Sequence, residues 1–442
     1  MPSHPLRIEP PAGDAPALAG RFRQVRATTE SLCRPLATDD YALQSMPDAS
    51  PAKWHIAHTS WFFEEFVLQP AIADYAFFDP TFRYLFNSYY ESVGPRYSRP
   101  DRGLLSRPTV EQVWAYRAHV DEEMQQLLEH DLLTPELQAV VALGLQHEQQ
   151  HQELLLTDIK HLFSRNPLEP AYAAGLAEVK RAAPVPLAFS EFAGGLIEIG
   201  HPGIGHSSTD FCFDNELGRH KVYLEPFRLA NRLATNGEYL QFIRTGGYEK
   251  AEHWLSDGWA SVRREQWRRP LYWAESLAEE FTLAGVRALD LNSPVCHLSY
   301  YEADAFARWA GARLPTEFEW ENVATSIERT GKPIRGNFVE EGQWHPAPAE
   351  TPEPGTDRAD VALQMFGDVW EWTASAYAPY PRFQPLNGAL GEYNGKFMVN
   401  QLVLRGGSCV TSRSHIRSTY RNFFYPTARW QFSGVRLASD AR

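Results

Sequence analysis

His147-Glu148-Gln149-Gln150-His151 constrains this chain more than any other stretch. It lies within Leu137–Phe163, where apolar residues recur at helical spacing and no Gly or Pro follows Gly144. Two histidines four apart on a helix project from one face, a turn apart. Both imidazoles then reach one ion, so the segment predicts a long helix that binds a metal. The same residues spell H-E-x-x-H, the zinc-protease pattern in which the Glu is a general base. The motif thus predicts a metal and leaves the reaction open.

The first third of the chain has helical periodicity over Ala17–Leu36, Ala52–Leu68, Val110–Leu128 and Pro135–Phe163. Thr134-Pro135 is a start signal, with Thr as N-cap and Pro in the first turn, and Pro108-Thr109 marks another. Four helices with one long connection, residues 70–107, predict a bundle whose connection is too long for a plain loop. Residues 1–16 are expected to be disordered, 17–165 to form the bundle, 166–188 to be a Pro/Ala-rich linker and 189–442 a second domain. There Gly194–Gly200 alternates like a strand. Helices are expected around Asn236–Ile243 and Tyr301–Gly311, with little regular structure between Gly336 and Val403.

The net charge of -13 argues against a nucleic-acid surface. No segment approaches the ~20 apolar residues that span a bilayer, and Met1–Gly20 does not read as a secretory signal. Cys33, Cys212, Cys296 and Cys409 are far apart with no CxxC, which fits reduced thiols in a cytoplasmic protein. The 13 Trp, 19 Tyr and 25 Phe suit a small-molecule pocket, although core packing also uses such residues.

The second domain carries Gly195–Gly200, Thr235-Asn236-Gly237-Glu238-Tyr239, Pro294–Ser299, Arg313–Glu321, Gly367–Thr373, Leu404–Ser408 and Gly434-Val435-Arg436. This ordered series resembles the formylglycine-generating-enzyme-like (sulfatase-modifying-factor) family, which implies a mixed α+β domain with few regular elements. Function does not follow from fold. Only Cys409 stands where the formylglycine enzymes use a close cysteine pair, so that activity is not expected. Glu317, Glu319, Glu321 and Trp370 are expected to be scaffold, since buried carboxylates need partners.

The helical part resembles the DinB-like bundles that carry three-histidine metal sites. His58, in Trp54-His55-Ile56-Ala57-His58, matches the third ligand, and His55 is an outer or surface group. His119, His130 and His161 are read as surface or packing residues. A DinB-like bundle fused to a formylglycine-type domain resembles the iron-dependent sulfoxide synthases of ergothioneine biosynthesis. That resemblance implies Fe(II) on His58, His147 and His151, with positions for a thiolate and O2. Three neutral histidines suit iron, and zinc also accepts them. Glu148 is then expected to point away from the metal.

In one branch of that family a Tyr-Tyr pair lies beside the iron, and Tyr89-Tyr90 matches it. A phenol there supplies a proton that steers O2 toward sulfoxidation. Another branch takes a tyrosine from the second domain, where Tyr377, Tyr380 and Tyr393 are available. Gln150 and the segment Asn422-Phe423-Phe424 match the groups that face hercynine, Nα-trimethylhistidine, with aromatic faces for the trimethylammonium. Relatives using γ-glutamylcysteine have Trp-Asp where Phe423-Phe424 stands, so free cysteine or another small donor is expected. Arg99 and Arg102 are the candidates for its carboxylate. Two rival readings stay open: a selenium-handling relative joining a selenosugar to hercynine, and a binding module with structural zinc.

Overall fold

In a computed structural model of the chain, residues 18–441 are described apart from 174, 178–181, 204–210, 330, 332 and 352–361. The disorder expected over 1–16 lies outside the described residues. The first part is a bundle of α1 (Leu18–Cys33), α2 (Ala52–Phe63), α3 (Val110–Glu129) and α4 (Pro135–Ser164). Helix α2 packs against α3 and α4, and α1 against α4. The start signals act as read. The Thr134 hydroxyl accepts from the Leu137 N–H with Pro135 in the first turn, and Thr109 and Gln112 form a reciprocal capping box.

All twelve residues of α2 are buried. Its approach to α4 depends on Gly144, where a Cβ would lie 2.6 Å and 2.8 Å from the ring atoms of Phe63 and Phe62. The periodic stretch predicted to Leu68 does not stay α-helical. Glu64–Leu68 widens into a π-helical turn, and buried Glu64 there accepts from Tyr116 Oη (2.5 Å), Tyr75 Oη (3.1 Å) and the Phe78 N–H (2.9 Å).

The second part is α+β, with small sheets set among long loops. Its strands are β1 (Phe189–Phe192), β2 (Gly195–Ile199), β3 (His220–Leu224), β4 (Phe227–Ala230), β5 (Glu279–Thr282), β6 (Gly285–Ala288), β7 (Trp370–Ala376), β8 (Leu402–Arg405), β9 (Asn422–Phe424), β10 (Ser433–Gly434) and β11 (Ala438–Asp440). The four-stranded sheet runs β10-β7-β8-β9, the three-stranded one β1-β4-β11, and β2-β3 and β5-β6 are hairpins. Helices α5 (Asn236–Arg244) and α7 (Tyr300–Trp309) match expectation; α6 (Ser256–Glu265) and α8 (Glu317–Glu328) add to it.

Buried ion pairs close the loops. Arg405 meets Glu317 and Glu321 at 2.9 Å each, Arg421 meets Glu317 at 2.9 Å, and Arg436 meets Glu371 at 2.8 Å. Glu319 pairs with Arg313 while capping α8. These carboxylates are scaffold, as expected. All four cysteines are buried. Among the described residues no helix is long and apolar enough to cross a membrane.

One face of α4 looks into the bundle and the other binds the second domain. Gln149 donates to Ser412 Oγ (3.0 Å) and Ser414 Oγ (2.7 Å), and Gln146 Oε1 meets His415 Nδ1 at 2.5 Å. Glu153 accepts from Trp370 Nε1 and Thr411 Oγ1, and Lys160 Nζ lies 2.7 Å from His297 Nε2. The seam between the two parts therefore runs along the histidine helix.

Candidate metal centre

Helices α2 and α4 bring His58, His147 and His151 together, with one ligand atom from each within 4.8 Å of the others. His58 and His147 are buried, and His151 keeps partial exposure. His58 is fixed on two sides. Its ring stacks on Trp54 (centroids 4.6 Å apart), and Nδ1 donates to the Phe86 carbonyl (2.6 Å). That bond leaves the Nε2 lone pair free, facing His147 Nε2 at 3.2 Å.

Two nitrogens about 2.1 Å from one ion and at a right angle to each other would be about 3.0 Å apart. The observed spacing fits a shared cation. Burial holds His58 and His151 well below the usual imidazole range, with His147 adding to the effect on both, and it lowers His147 to about 3. All three are therefore neutral near pH 7, as nitrogen ligands must be. The donor set fits a divalent transition metal.

Glu148 turns away from this cluster. It is fully buried and bonded to Arg26 Nη1 (2.9 Å), Arg117 Nη2 (2.8 Å) and Thr29 Oγ1 (2.6 Å). Burial alone would raise its pKa, but Arg117 and Arg26 outweigh burial and hold it at about 2. A carboxylate committed to two arginines is a structural anion, not a base poised over a metal-bound water. His55, one turn before His58, is buried. Its Nδ1 lies 2.9 Å from His151 Nδ1, and its Nε2 lies 3.1 Å from Asp158 Oδ2. It is neither surface nor ligand. Of the other histidines, His161 bonds Ser45 Oγ (2.7 Å) and His119 packs on Phe78.

The long connection and the second domain wall the centre with aromatic rings. Tyr89 and Tyr90 stack at 4.6 Å, and Tyr90 packs on Trp61, which stacks on His58. The Tyr90 hydroxyl is fully buried. Tyr393 of the second domain comes closer still. Its ring lies 5.7 Å from His147 and 6.3 Å from Tyr89, and its hydroxyl donates to Gln150 Oε1. Gln150 Nε2 donates to Tyr420 Oη (2.6 Å), so both ends of this amide are tied to the second domain. Tyr377 stacks on Phe423 at 4.0 Å, whereas Tyr380 joins the Glu317 ion network.

The remaining predicted residues divide. Phe423 faces Tyr377 and Phe397, and Phe397 meets Tyr89 at 5.1 Å. Successive strand residues point to opposite faces, and Phe424 packs instead on Trp430. Asn422 Oδ1 accepts from the Phe423 N–H (2.9 Å). Arg102 is buried over the Trp54 ring at 3.3 Å and donates to Ser50 Oγ (2.9 Å). Arg99 is exposed and donates to the Asp48 carbonyl. The structure thus brings Arg102 close to the histidines through Trp54 and leaves Arg99 on the surface.

The sequence profile of the sulfatase-modifying factor enzyme 1-like domain matches residues 189–441, and that of the DinB superfamily matches residues 21–155. The hercynine oxygenase of Mycolicibacterium thermoresistibile is 30% identical over 454 residues, covering 96% of each chain. That of Mycobacterium tuberculosis is 34% identical over 313 residues, covering 68% of this chain and 71% of its own. This chain belongs to the hercynine oxygenase family. The formylglycine-generating enzyme of Streptomyces coelicolor is also similar, at 29% identity over 276 residues, but it covers only 52% of this chain and 82% of its own. Membership in the family therefore rests on both domains together.

Proposed function

We propose that this chain is a non-haem Fe(II) enzyme of ergothioneine biosynthesis that joins the sulfur of cysteine to imidazole C2 of hercynine, using O2, and releases a sulfoxide. The observation that carries the reading is the cluster of three neutral histidines facing an aromatic seam between the two domains. Family membership supplies the substrate class. The reaction balances as one thiol S–H and one ring C–H lost, one C–S bond and one S–O bond formed, and the second oxygen atom leaving as water. Iron held by the three histidines would supply adjacent positions and electron transfer for thiolate, imidazole and O2.

The chain's own residues do the rest. The rings of Tyr89, Phe397, Phe423 and Tyr377 form a continuous wall suited to a trimethylammonium group, and Gln150 and Asn422 are the amides for its carboxylate or imidazole. Arg102, buried over Trp54, is the candidate for the carboxylate of the thiol donor; Arg99 would have to swing inward to join it. The phenols of Tyr89 and Tyr90 hold the proton delivered to oxygen, and burial raises the Tyr90 hydroxyl well above the usual phenol range and keeps it protonated. Packing by the apolar Phe423 and Phe424, with no acid in the pair, fits a donor without the γ-glutamyl ammonium.

His147→Ala is expected to abolish metal retention and turnover. Tyr89→Phe and Tyr90→Phe are expected to retain metal, lower sulfoxide yield and raise oxidation of the thiol alone, read by mass spectrometry. Two silent tyrosine variants would move the proton donor to Tyr393. A carbon–selenium product from a selenosugar, with no product from cysteine, would replace the donor and leave the metal reading intact.

A further inference from the structure

His55 and Asp158 have no place in ligand or substrate binding, yet they are buried against a metal ligand. Asp158 lies on α4 two turns beyond His151, on the same face. Its Oδ2 accepts from the Ser50 N–H (2.8 Å), just ahead of α2, and faces His55 Nε2 at 3.1 Å. The same Oδ2 already accepts from the Ser50 N–H, so His55 Nε2 is the donor in that pair. With its ring proton on Nε2, His55 offers Nδ1 as the acceptor. Its partner, 2.9 Å away, is Nδ1 of His151, which must therefore carry the proton. The lone pair of His151 is left on Nε2.

We propose that Asp158 and His55 form a relay that sets the tautomer of His151 and presents its Nε2 to the metal. Both are positioning residues, acting on the metal through His151. The inference rests on the three-histidine metal reading. It explains why a second histidine stands one turn from His58: a carboxylate bonded directly to His151 would fix the same tautomer, but Asp158 already anchors the start of α2 through Ser50, and His55 spans the gap. His58 has its own device, the Phe86 carbonyl. Two ligands on different helices are thus each fixed through Nδ1, one by backbone and one by the relay. Groups that orient a ligating histidine typically change metal affinity about 10–100-fold when removed.

The test uses the full chain labelled with 15N-histidine, His151 being assigned by the signal lost in His151→Gln. In metal-free wild type, the His151 shifts should report a protonated Nδ1 and a bare Nε2. Asp158→Leu and His55→Phe, which keep bulk and remove the acceptor, should shift His151 toward the Nε2-protonated form and weaken Fe(II) and Co(II) binding about 10–100-fold. Asp158→Asn keeps an acceptor oxygen for both Ser50 and His55 and should restore most of the affinity and the Co(II) spectrum. If Asp158→Leu fails to fold, His55→Phe carries the same prediction without touching Ser50. A wild-type His151 protonated on Nε2, or unchanged Co(II) affinity and spectrum in His55→Phe, would overturn the relay. Wild type that takes up no metal would overturn the metal reading instead, and the shifts of the metal-free chain would still decide the tautomer.

Discussion

The bundle and the second domain are stabilised in different ways. In the bundle, apolar side chains at helical spacing fill the interior, and the α3 capping box uses a neutral Gln112. The second domain starts three of its helices with a capping box whose carboxylate is also paired with an arginine: Glu238 with Arg232, Glu302 with Arg429, Glu319 with Arg313. Its loops cannot satisfy their own polar groups by regular ladders, so buried charge does that work. Such pairs contribute little net stability against an apolar replacement, but removing one partner strands the other in the interior. The second domain is therefore the more brittle to single polar changes, and the bundle the more brittle to changes of volume.

The largest effect is expected at Glu317, which holds both Arg405 and Arg421. Glu317→Ala should cost about 3–5 kcal/mol in denaturant unfolding. The bundle has a device of the same kind, Glu148 with Arg26 and Arg117, and Glu148→Ala should cost a similar ~3–5 kcal/mol while leaving any hydrolytic assay unchanged. A mild Glu148→Ala would break the claim that this residue is a structural anion.

The capping boxes sharpen the contrast. Glu302→Ala loses a cap and the carboxylate that accepts from both Arg429 and the Tyr248 hydroxyl, and should cost about 2–4 kcal/mol. Gln112→Ala loses a cap alone and should cost about 0.5–1 kcal/mol. Equal losses would erase the distinction. Gly144→Ala should cost about 1–2 kcal/mol, because the clash with Phe62 and Phe63 outweighs the better helix propensity of alanine. Thermal unfolding with and without metal would also show whether the shifted α2 loosens the histidines.

The same contrast governs what could be read from the sequence. The four bundle helices were legible because one periodicity runs through each, and His147 and His151 because four-residue spacing on a helix fixes their common face. His58 came from family resemblance, and α2 and α4 do bring it to the pair. The π-turn at Glu64 was not legible, since it answers to tertiary partners in Tyr75, Tyr116 and Phe78. In the second domain α8 was not anticipated, although Thr316-Glu317-Phe318-Glu319 carries a capping-box signal. The role of His55 was hidden because its partners, Asp158 and His151, lie about a hundred residues away. The nearness of Tyr393 to His147 was equally out of reach, because it depends on how the two domains meet along α4.

The most direct measurement is oxygen uptake by anaerobically Fe(II)-loaded protein given hercynine with cysteine, γ-glutamylcysteine or a selenosugar in parallel, with products identified by mass spectrometry. The expected result is uptake with cysteine and a hercynyl-cysteine sulfoxide, both lost in His147→Ala. Tightly held zinc, with no oxygen uptake from any donor after iron loading, would contradict the catalytic reading and leave a ligand-binding module with a structural metal.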